Sequence, residues 1–218
     1  MSINAPVNTL AIDTSTEILS LCCHSGGGFI DLARSLDLRH AEELIPLIDW
    51  TLSQARIKAA DLELVVASGG PGSFTGLRIG MATAKGIAAG TGCALVSVPS
   101  LDAYACRETV SLPLIDARKN RFYAAFYSGG RRLGPYMDAT VEEICAAAEK
   151  YKDIVLTGPH AALFYERVAQ CRPDFHGRLD PDAGTGKAAV FLRLGREAFL
   201  RGETQAAGLM YLREAETT

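Results

Sequence analysis

A glycine-rich stretch, GGPGSFTGLRIGMATAKGIAAG at residues 69–90, has the composition of a phosphate-binding loop that leads into a helix. A Walker A loop requires G-x-x-x-x-G-K-[ST], in which backbone N–H groups surround the phosphates and the lysine reaches them. Here Gly72 and Gly76 are four residues apart, and no Lys-Ser or Lys-Thr pair follows. The dinucleotide fingerprint G-x-G-x-x-G fails as well, because Thr75 stands where its third glycine belongs. The stretch therefore carries neither nucleotide-binding signature.

Ser73, in the same stretch, would be a candidate nucleophile if it lay in a G-x-S-x-G elbow. Pro71 occupies the position of the first glycine, so the elbow is absent. Serine is common immediately before a helix, where its hydroxyl accepts a hydrogen bond from a backbone N–H of the first turn. We therefore predict that Ser73 is the N-cap of a helix.

The helix predicted after Ser73 has small residues at four-residue intervals: Gly76, Gly80, Ala84 and Ala88. Each glycine in a helix interior costs about 1 kcal/mol relative to alanine. Such a stripe is therefore typical of a helix that another backbone approaches closely. That backbone belongs either to the protein's own sheet or to a neighbouring chain, and the sequence leaves both open.

Histidine and acidic residues at two places suggest metal or phosphate chemistry. His40 begins the segment HAEEL, but Leu44 stands where the second histidine of an HxxxH pair would lie. This segment is predicted to be a solvated helix start.

Asp13 and Asp116 each end an apolar run, a position where residues that bind phosphate or magnesium often lie. No partner carboxylate or lysine is fixed by the sequence.

Basic residues are most concentrated in the second half of the chain, at Arg118, Lys119, Arg121, Arg131 and Arg132. Arginine and lysine clusters bind nucleic-acid phosphates and release counterions. The segment is predicted either to contact such phosphates or to form a solvated hairpin.

The overall composition limits the class of protein. The 218 residues are 48% hydrophobic and 22% charged, with a formal net charge of −3. These values indicate a globular protein and do not favour nucleic-acid binding over a broad basic face. A signal peptide and a run of eighteen apolar residues are both absent from the sequence, so a cytoplasmic location is expected. The six cysteines lack CxxC spacing and are expected to be reduced and buried.

The elements that must position these residues follow one order twice. Residues 9–36 contain three apolar-rich runs, and the next segment, 39–57, has apolar residues at helical spacing. A buried run, LELVVASG, then leads into the glycine-rich helix. From residue 112 the order recurs through LPLIDARKNRFYAAFY, a Thr140–Glu143 capping box and DIVLTGP. We predict a duplicated βββαβ unit; the alternative is a chance match of two generic strand ends.

The helix that begins near His40 has more apolar surface than one core requires. Leu47 and Trp50 lie beside its main apolar stripe. An apolar patch that remains after core packing commonly marks a protein partner, although Trp50 also fits beneath a loop. Pro46 is expected either to kink this helix or to lie in its first turn.

Five segments carry a recognisable signature: LAIDTSTEILSL, HAEELIPLI, ASGGPGSFTGLRIGMATAKGIA, LIDARKNRFYAAFY and the closing Tyr-Leu-Arg. Together they resemble the bacterial TsaB family, also called YeaZ. The resemblance implies an α/β fold of two actin-like, ribonuclease-H-like (ASKHA) lobes with mixed sheets, the second lobe abbreviated. Residues 1–105 are then expected to form the N-terminal lobe and residues 106–218 the smaller C-terminal lobe. Two positions stay open for the C-terminal helix: within the second lobe, or packed back on the first lobe.

The resemblance also implies a function. TsaB is a subunit without catalytic residues that the paralogous TsaD requires when it places a threonylcarbamoyl group on the adenosine beside the anticodon of tRNA. The expected partners are TsaD, the ATPase TsaE and a second copy of the same chain, with tRNA contacted indirectly and no membrane. No cofactor or metal is expected, except weak nucleotide binding at the complex interface, for which Asp13, Thr14 and Ser15 are the candidates.

Catalytic features of the related enzymes are missing where they can be compared. Leu44 replaces the second histidine of the TsaD metal pair, and Ser15 stands where an ASKHA phosphate loop has glycine after Asp-Thr. Gly158 is present without the fuller glycine-rich adenosine motif. Leu209 also departs from the family, which tends to have proline before the final Tyr-Leu-Arg.

The resemblance places the interface on two helices, which begin at HAEEL and at GSFTGLRIG and form a bundle with the same helices of TsaD or of a second copy. The expected interface residues are His40, Leu44, Leu47, Trp50, Gly76, Arg78, Gly80, Met81 and Ala84. Gly80→Leu is expected to abolish association with TsaD while leaving the fold largely intact.

Two other functions stay open: an ATP-dependent phosphotransferase of the ASKHA type with Asp13 and Asp116 at its cleft, and a peptidase that acts on TsaD. The peptidase lacks a nucleophile-and-base pair in the sequence.

Overall fold

A computed structural model describes residues 8–36, 39–106, 109–203 and 208–212. Contacts within the chain divide it into two compact units: unit 1 is residues 1–99 with 186–210, and unit 2 is residues 100–185 with 211–218. The boundary therefore follows Pro99 rather than residue 105, and the C-terminal helix belongs to unit 1. Within the described ranges, every helix is too short or too polar to span a bilayer. Arg213 of the closing Tyr-Leu-Arg lies outside the described residues.

Unit 1 is built on a five-stranded mixed sheet. Its strands are β1 (Thr9–Asp13), β2 (Ile18–Ser25), β3 (Gly28–Ser35), β4 (Leu64–Ser68) and β5 (Ala94–Val98), in the order β3-β2-β1-β4-β5. The first three form an antiparallel meander, and β4 and β5 run parallel to β1. The two central strands, β1 and β4, are buried along their whole length, as expected for nearly continuous apolar runs.

Three helices cover this sheet. Helices α1 (His40–Gln54) and α2 (Phe74–Thr91) pack with alternate β-strand residues such as Val65, whereas the C-terminal helix α6 (Ala188–Leu200) lies against Val66 and so covers the opposite face. Ser73 caps α2 as predicted, since its hydroxyl accepts a hydrogen bond from the Gly76 N–H at 3.2 Å. Helix α1 begins at His40, so Pro46 lies inside the helix and not in its first turn.

Unit 2 repeats this arrangement. Its main sheet consists of β6 (Ser111–Asp116), β7 (Arg121–Ala124), β10 (Met137–Thr140), β11 (Ile154–Thr157) and β12 (Gly177–Leu179), in the order β10-β7-β6-β11-β12. Its helices are α3 (Ser100–Ala103), α4 (Val141–Ala148) and α5 (Ala161–Cys171). Thr140 and Glu143 form the predicted capping box at the start of α4. A small additional hairpin of β8 (Tyr127–Ser128) and β9 (Arg131–Arg132) pairs with β6 through β8.

The strand order confirms the predicted duplication. In each unit the third, second, first, fourth and fifth strands lie side by side once the β8–β9 hairpin is set aside, with the same pattern of parallel and antiparallel pairs. Unit 2 has fewer residues but retains all five strands. The hairpin is thus an addition to the second copy, without a counterpart among the described strands of unit 1.

Candidate functional site

The glycines on the inner side of α2 face the protein's own loop between β1 and β2. A Cβ atom added to Gly76 would overlap the carbonyl oxygen of Thr14, and one added to Gly80 would overlap the hydroxyl oxygen of the same residue. Gly72 lies equally close to the carbonyl oxygen of Ser15. The small residues are therefore needed because the loop contacts the helix backbone directly. Of the two possibilities left open by the sequence, the close neighbour is the protein's own chain.

Burial within unit 1 argues against much of the predicted interface, which stays a prediction. Six of the nine expected residues are buried within unit 1: His40, Leu44, Gly76, Gly80, Met81 and Ala84. A residue that its own chain already covers has no surface left for a partner. The contact of Gly80 with Thr14 argues against the expectation that Gly80→Leu leaves the fold intact, since the new side chain would overlap the Thr14 hydroxyl.

The other three expected residues do reach the surface. Trp50 is 49% exposed, Arg78 is exposed and Leu47 is half-buried. The guanidinium of Arg78 lies 3.7 Å from the centre of the Phe74 ring, one turn earlier on α2. Ile45 on α1 is 57% exposed. Its position beside the stripe, one residue after buried Leu44, was the signal that could have identified it.

The outward side of α2 is also lined by small residues. Ala82, Gly86 and Gly90 are exposed and lie four residues apart, two positions along from the inner glycines and so on the opposite side of the helix. A Cβ added to Gly86 would meet nothing within 4 Å. We define the outer helix surface as seven residues of these two neighbouring helices: half-buried Phe74 and the exposed residues Ile45, Trp50, Arg78, Ala82, Gly86 and Gly90.

The three nucleotide-binding candidates are fully buried. Asp13 accepts a hydrogen bond from the Ser15 N–H at 2.9 Å, and the Thr14 N–H donates to the Ser68 hydroxyl at 3.3 Å. The Ser15 carbonyl accepts the Ser73 N–H at 2.7 Å. These hydrogen bonds therefore hold the β1–β2 loop against the start of α2.

His40 lies in the same region at the start of α1. Burial lowers the pKa of its imidazole, while a hydrogen bond to the Thr16 backbone and the charges of Asp13 and Glu17 act in the opposite direction. Leu44, one turn later, is 1% exposed and packs into the core of unit 1. Within the described ranges, no group of three His, Cys, Asp or Glu side chains is arranged to hold a metal ion.

The predicted basic cluster is divided by the structure. Asp116 accepts the Arg118 N–H at 2.9 Å and lies 3.6 Å from its guanidinium. Arg121 pairs with Asp138 at 2.8 Å and with Glu143 at 3.4 Å. Lys119 follows Arg118 in the turn after β6, and Arg131 and Arg132 form β9 of the additional hairpin. The five basic residues therefore do not make one continuous phosphate-binding surface.

Two sheets of identical strand order, joined in one chain and covered by helices, define the actin-like (ASKHA) class of two-lobed α/β proteins. The family model for TsaD, tRNA N6-adenosine threonylcarbamoyltransferase, matches residues 33–180 of the chain. The chain therefore belongs to this family, within its TsaB (YeaZ) branch.

Individual relatives agree with this assignment. TsaB of Escherichia coli, a tRNA threonylcarbamoyladenosine biosynthesis protein, is 32% identical over 124 residues, which are 54% of this chain and 54% of that protein. An uncharacterised protein of Mycobacterium leprae is 35% identical over 71% of this chain and 44% of its own length. YeaZ from Pseudomonas aeruginosa superposes with a TM-score of 0.80 at 25% identity, over 94% of this chain and 100% of that one. The first curated relatives are thus matched over 44% to 65% of their own length.

Proposed function

We propose that this chain is a non-catalytic scaffold subunit in the biosynthesis of threonylcarbamoyladenosine in tRNA, and that it holds a TsaD partner through the outer helix surface. The names of the TsaB relatives and of the matching family model support the pathway. The outer helix surface is the observation that supports the mode of action.

This surface has the properties of a helix-packing interface. Trp50 and Ile45 are large apolar side chains that remain about half exposed after the core of unit 1 is complete, and exposed apolar patches commonly mark partner sites. Tryptophan and arginine are the residue types that most often dominate binding energy. Beside them, Ala82 and Gly86 leave the outer side of α2 without bulk, so a partner helix can approach it closely.

The non-catalytic part of the proposal is supported by the buried groups beneath this surface. Leu44 offers a hydrocarbon side chain where a TsaD-type metal pair needs its second histidine, and a hydrocarbon cannot bind a metal. Asp13, Thr14 and Ser15 are engaged in packing the loop against α2. We infer that the chain contributes contact surface to a complex whose catalytic groups belong to TsaD.

The same surface is proposed to bind a second copy of the chain when TsaD is absent. Both partners are members of one family, so helices of similar shape compete for one site. We also expect TsaE to bind the assembled complex as an additional partner.

A matched pair of substitutions at one position tests this proposal. Gly86→Leu adds bulk to the outer side of α2 where the chain has open space, whereas Gly86→Ala adds only a methyl group. Size-exclusion chromatography of the protein alone and mixed with TsaD is expected to show loss of both assemblies for the leucine variant. The alanine variant, and Ala162→Leu on the exposed side of α5, are expected to assemble like the wild type. Full assembly by a folded Gly86→Leu variant would contradict the proposal.

Calorimetry with ATP and magnesium separates this function from the phosphotransferase alternative. The scaffold is expected to show no submicromolar binding of ATP when isolated, because the loop after β1 is closed by its own packing. Submicromolar binding would favour the phosphotransferase. The peptidase alternative gains no support from Ser73, whose hydroxyl accepts a hydrogen bond as a helix cap.

A further inference from the structure

The segment between Asp116 and Asp138 carries five basic residues and no acidic residue, although the whole chain has a net charge of −3. Asp116, Asp138 and Glu143 neutralise Arg118 and Arg121. Arg131 and Arg132 differ: both are exposed, and in the described part of the chain neither forms an ion pair with a carboxylate. They are therefore available to an external anion.

The hairpin geometry directs these two arginines to opposite sides. Arg131 pairs with Ser128 and Arg132 with Tyr127 across the β8–β9 ladder, and the turn is formed by Gly129 and Gly130, both with positive φ. Successive side chains of a strand point to opposite faces. The hairpin thus presents one guanidinium on each of its faces.

The base of the hairpin is firmly anchored. The Tyr127 hydroxyl donates to Asp102 Oδ1 at 2.5 Å, and the Tyr136 hydroxyl donates to the same oxygen at 2.8 Å. Tyr127 is 1% exposed. The Arg132 guanidinium lies 3.9 Å from the centre of the Tyr136 ring, which holds the side chain in place while leaving its N–H edge for hydrogen bonding. A site ordered in advance loses less entropy when a ligand binds.

The hairpin is also separate from the other basic turn. In the β6 ladders, Ser111 pairs with Tyr127 and Asp116 pairs with Phe122. The hairpin and the Arg118 turn therefore leave opposite ends of β6, about 17 Å apart along the strand at the usual rise per residue. A variant of the hairpin can be tested without disturbing the other turn.

We propose that the β8–β9 hairpin contacts the phosphate backbone of tRNA directly, with Arg131 and Arg132 binding phosphates on its two sides. The inference rests on the proposed function, since tRNA is the polyanion that a subunit of this pathway meets. A guanidinium matches phosphate oxygens with two parallel hydrogen bonds. The contact is to the backbone, so it positions the tRNA without reading its sequence. It goes beyond the indirect contact that the family resemblance implies.

Salt dependence of tRNA binding tests the hairpin. The full-length chain, alone and mixed with TsaD, is titrated into a labelled tRNA that reads a codon beginning with A, at several salt concentrations. The slope of the logarithm of affinity against the logarithm of salt concentration changes by about 0.9 for each phosphate contact. Arg131→Ala with Arg132→Ala is expected to reduce this slope by about 2 and to weaken binding at low salt by at least about tenfold.

A matched control removes the same charge elsewhere in unit 2. Lys150 and Lys152 are exposed, and replacing both by alanine is expected to leave the slope unchanged. Arg131→Lys with Arg132→Lys keeps the charge and is expected to retain most of the slope. An unchanged slope in the arginine-to-alanine variant, an equal loss in the lysine control, or no tRNA binding by the wild-type chain in either state would overturn the proposal.

Failure of the proposed function is detected separately. Co-elution with TsaD depends on the outer helix surface, so the hairpin variants are expected to assemble normally. A wild-type chain that binds tRNA but never co-elutes with TsaD would remove the scaffold proposal and leave the hairpin contact standing.

Discussion

The hydroxyl oxygen of Thr14 occupies the space that a Cβ atom at position 80 would need, so a larger residue there requires the Thr14 side chain or the helix to shift. The same loop residue meets Gly76 through its carbonyl oxygen. Helix α2 is therefore positioned by direct backbone contact with the loop after β1, and its glycines serve the fold of unit 1.

We predict that Gly80→Ala destabilises the protein by about 1–3 kcal/mol, because the added methyl group overpacks the contact and displaces the Thr14 hydroxyl or the helix. Gly86→Ala lies on the same helix in open space and is expected to stabilise it by up to about 1 kcal/mol. Urea unfolding followed by circular dichroism measures both. Adding Thr14→Ala to Gly80→Ala removes the overlapping hydroxyl and is expected to recover part of the loss. Equal stability of the two glycine variants would show that the Thr14 contact is not tight.

Trp50→Ala is predicted to weaken binding to TsaD by about 2 kcal/mol or more, as expected for a central interface tryptophan. Because the side chain is 49% exposed, the free energy of unfolding is expected to change by less than about 0.5 kcal/mol. Titration calorimetry with TsaD measures the loss. Tyr165→Ala on α5, where the side chain is 41% exposed, is the control. The interface assignment fails if both variants bind TsaD as the wild type does.

The stability of unit 1 is predicted to fall as the pH drops below about 6.5, the ordinary pKa of histidine. Burial lowers the pKa of His40, so the unfolded chain binds this proton more readily than the folded chain, and acid favours unfolding. The full contribution of His40 to stability is present above about pH 6.5. Urea midpoints compared at about pH 7.5 and about pH 5.5 test this. His40→Gln is expected to reduce the difference between the two midpoints, and an identical difference in the variant would exclude His40 as its source.

Asp102→Ala is predicted to destabilise unit 2 by about 2–3 kcal/mol, because it removes the charged acceptor of two phenol hydroxyls and leaves that of buried Tyr127 without its partner. Asp102→Asn keeps one oxygen acceptor and is expected to lose less. In a double-mutant cycle, Tyr127→Phe should reduce the cost of Asp102→Ala, since the orphaned hydroxyl is then gone. Strictly additive losses would mean that the hydrogen bond contributes nothing.

Much of the fold follows from local patterns in the sequence. The buried runs of β1 and β4, the Ser73 cap and the Thr140–Glu143 capping box are each set by residues close together in the chain, and the structure contains all of them. The repeated order of these patterns was sufficient to predict two similar sheets. Gly202, with φ of +78°, follows α6 at a position where glycine commonly ends a helix.

The surfaces were harder to predict because they depend on contacts distant in sequence. A stripe of glycines shows that a backbone comes close, but its spacing does not say which backbone, and here it is Thr14, more than sixty residues earlier. The basic residues between 118 and 132 are near one another in the chain, yet the register of β6 sends their two turns to opposite ends of a strand.

The close contact between the glycines of α2 and the β1–β2 loop affects how the two can move. Contacts made through side chains can yield by changing rotamer, whereas Gly72 and Gly76 meet the carbonyl oxygens of Ser15 and Thr14, backbone against backbone. A displacement of the β1–β2 loop is therefore expected to move helix α2 as a rigid body. A partner bound to the outer helix surface is therefore expected to be mechanically coupled to the β1–β2 loop.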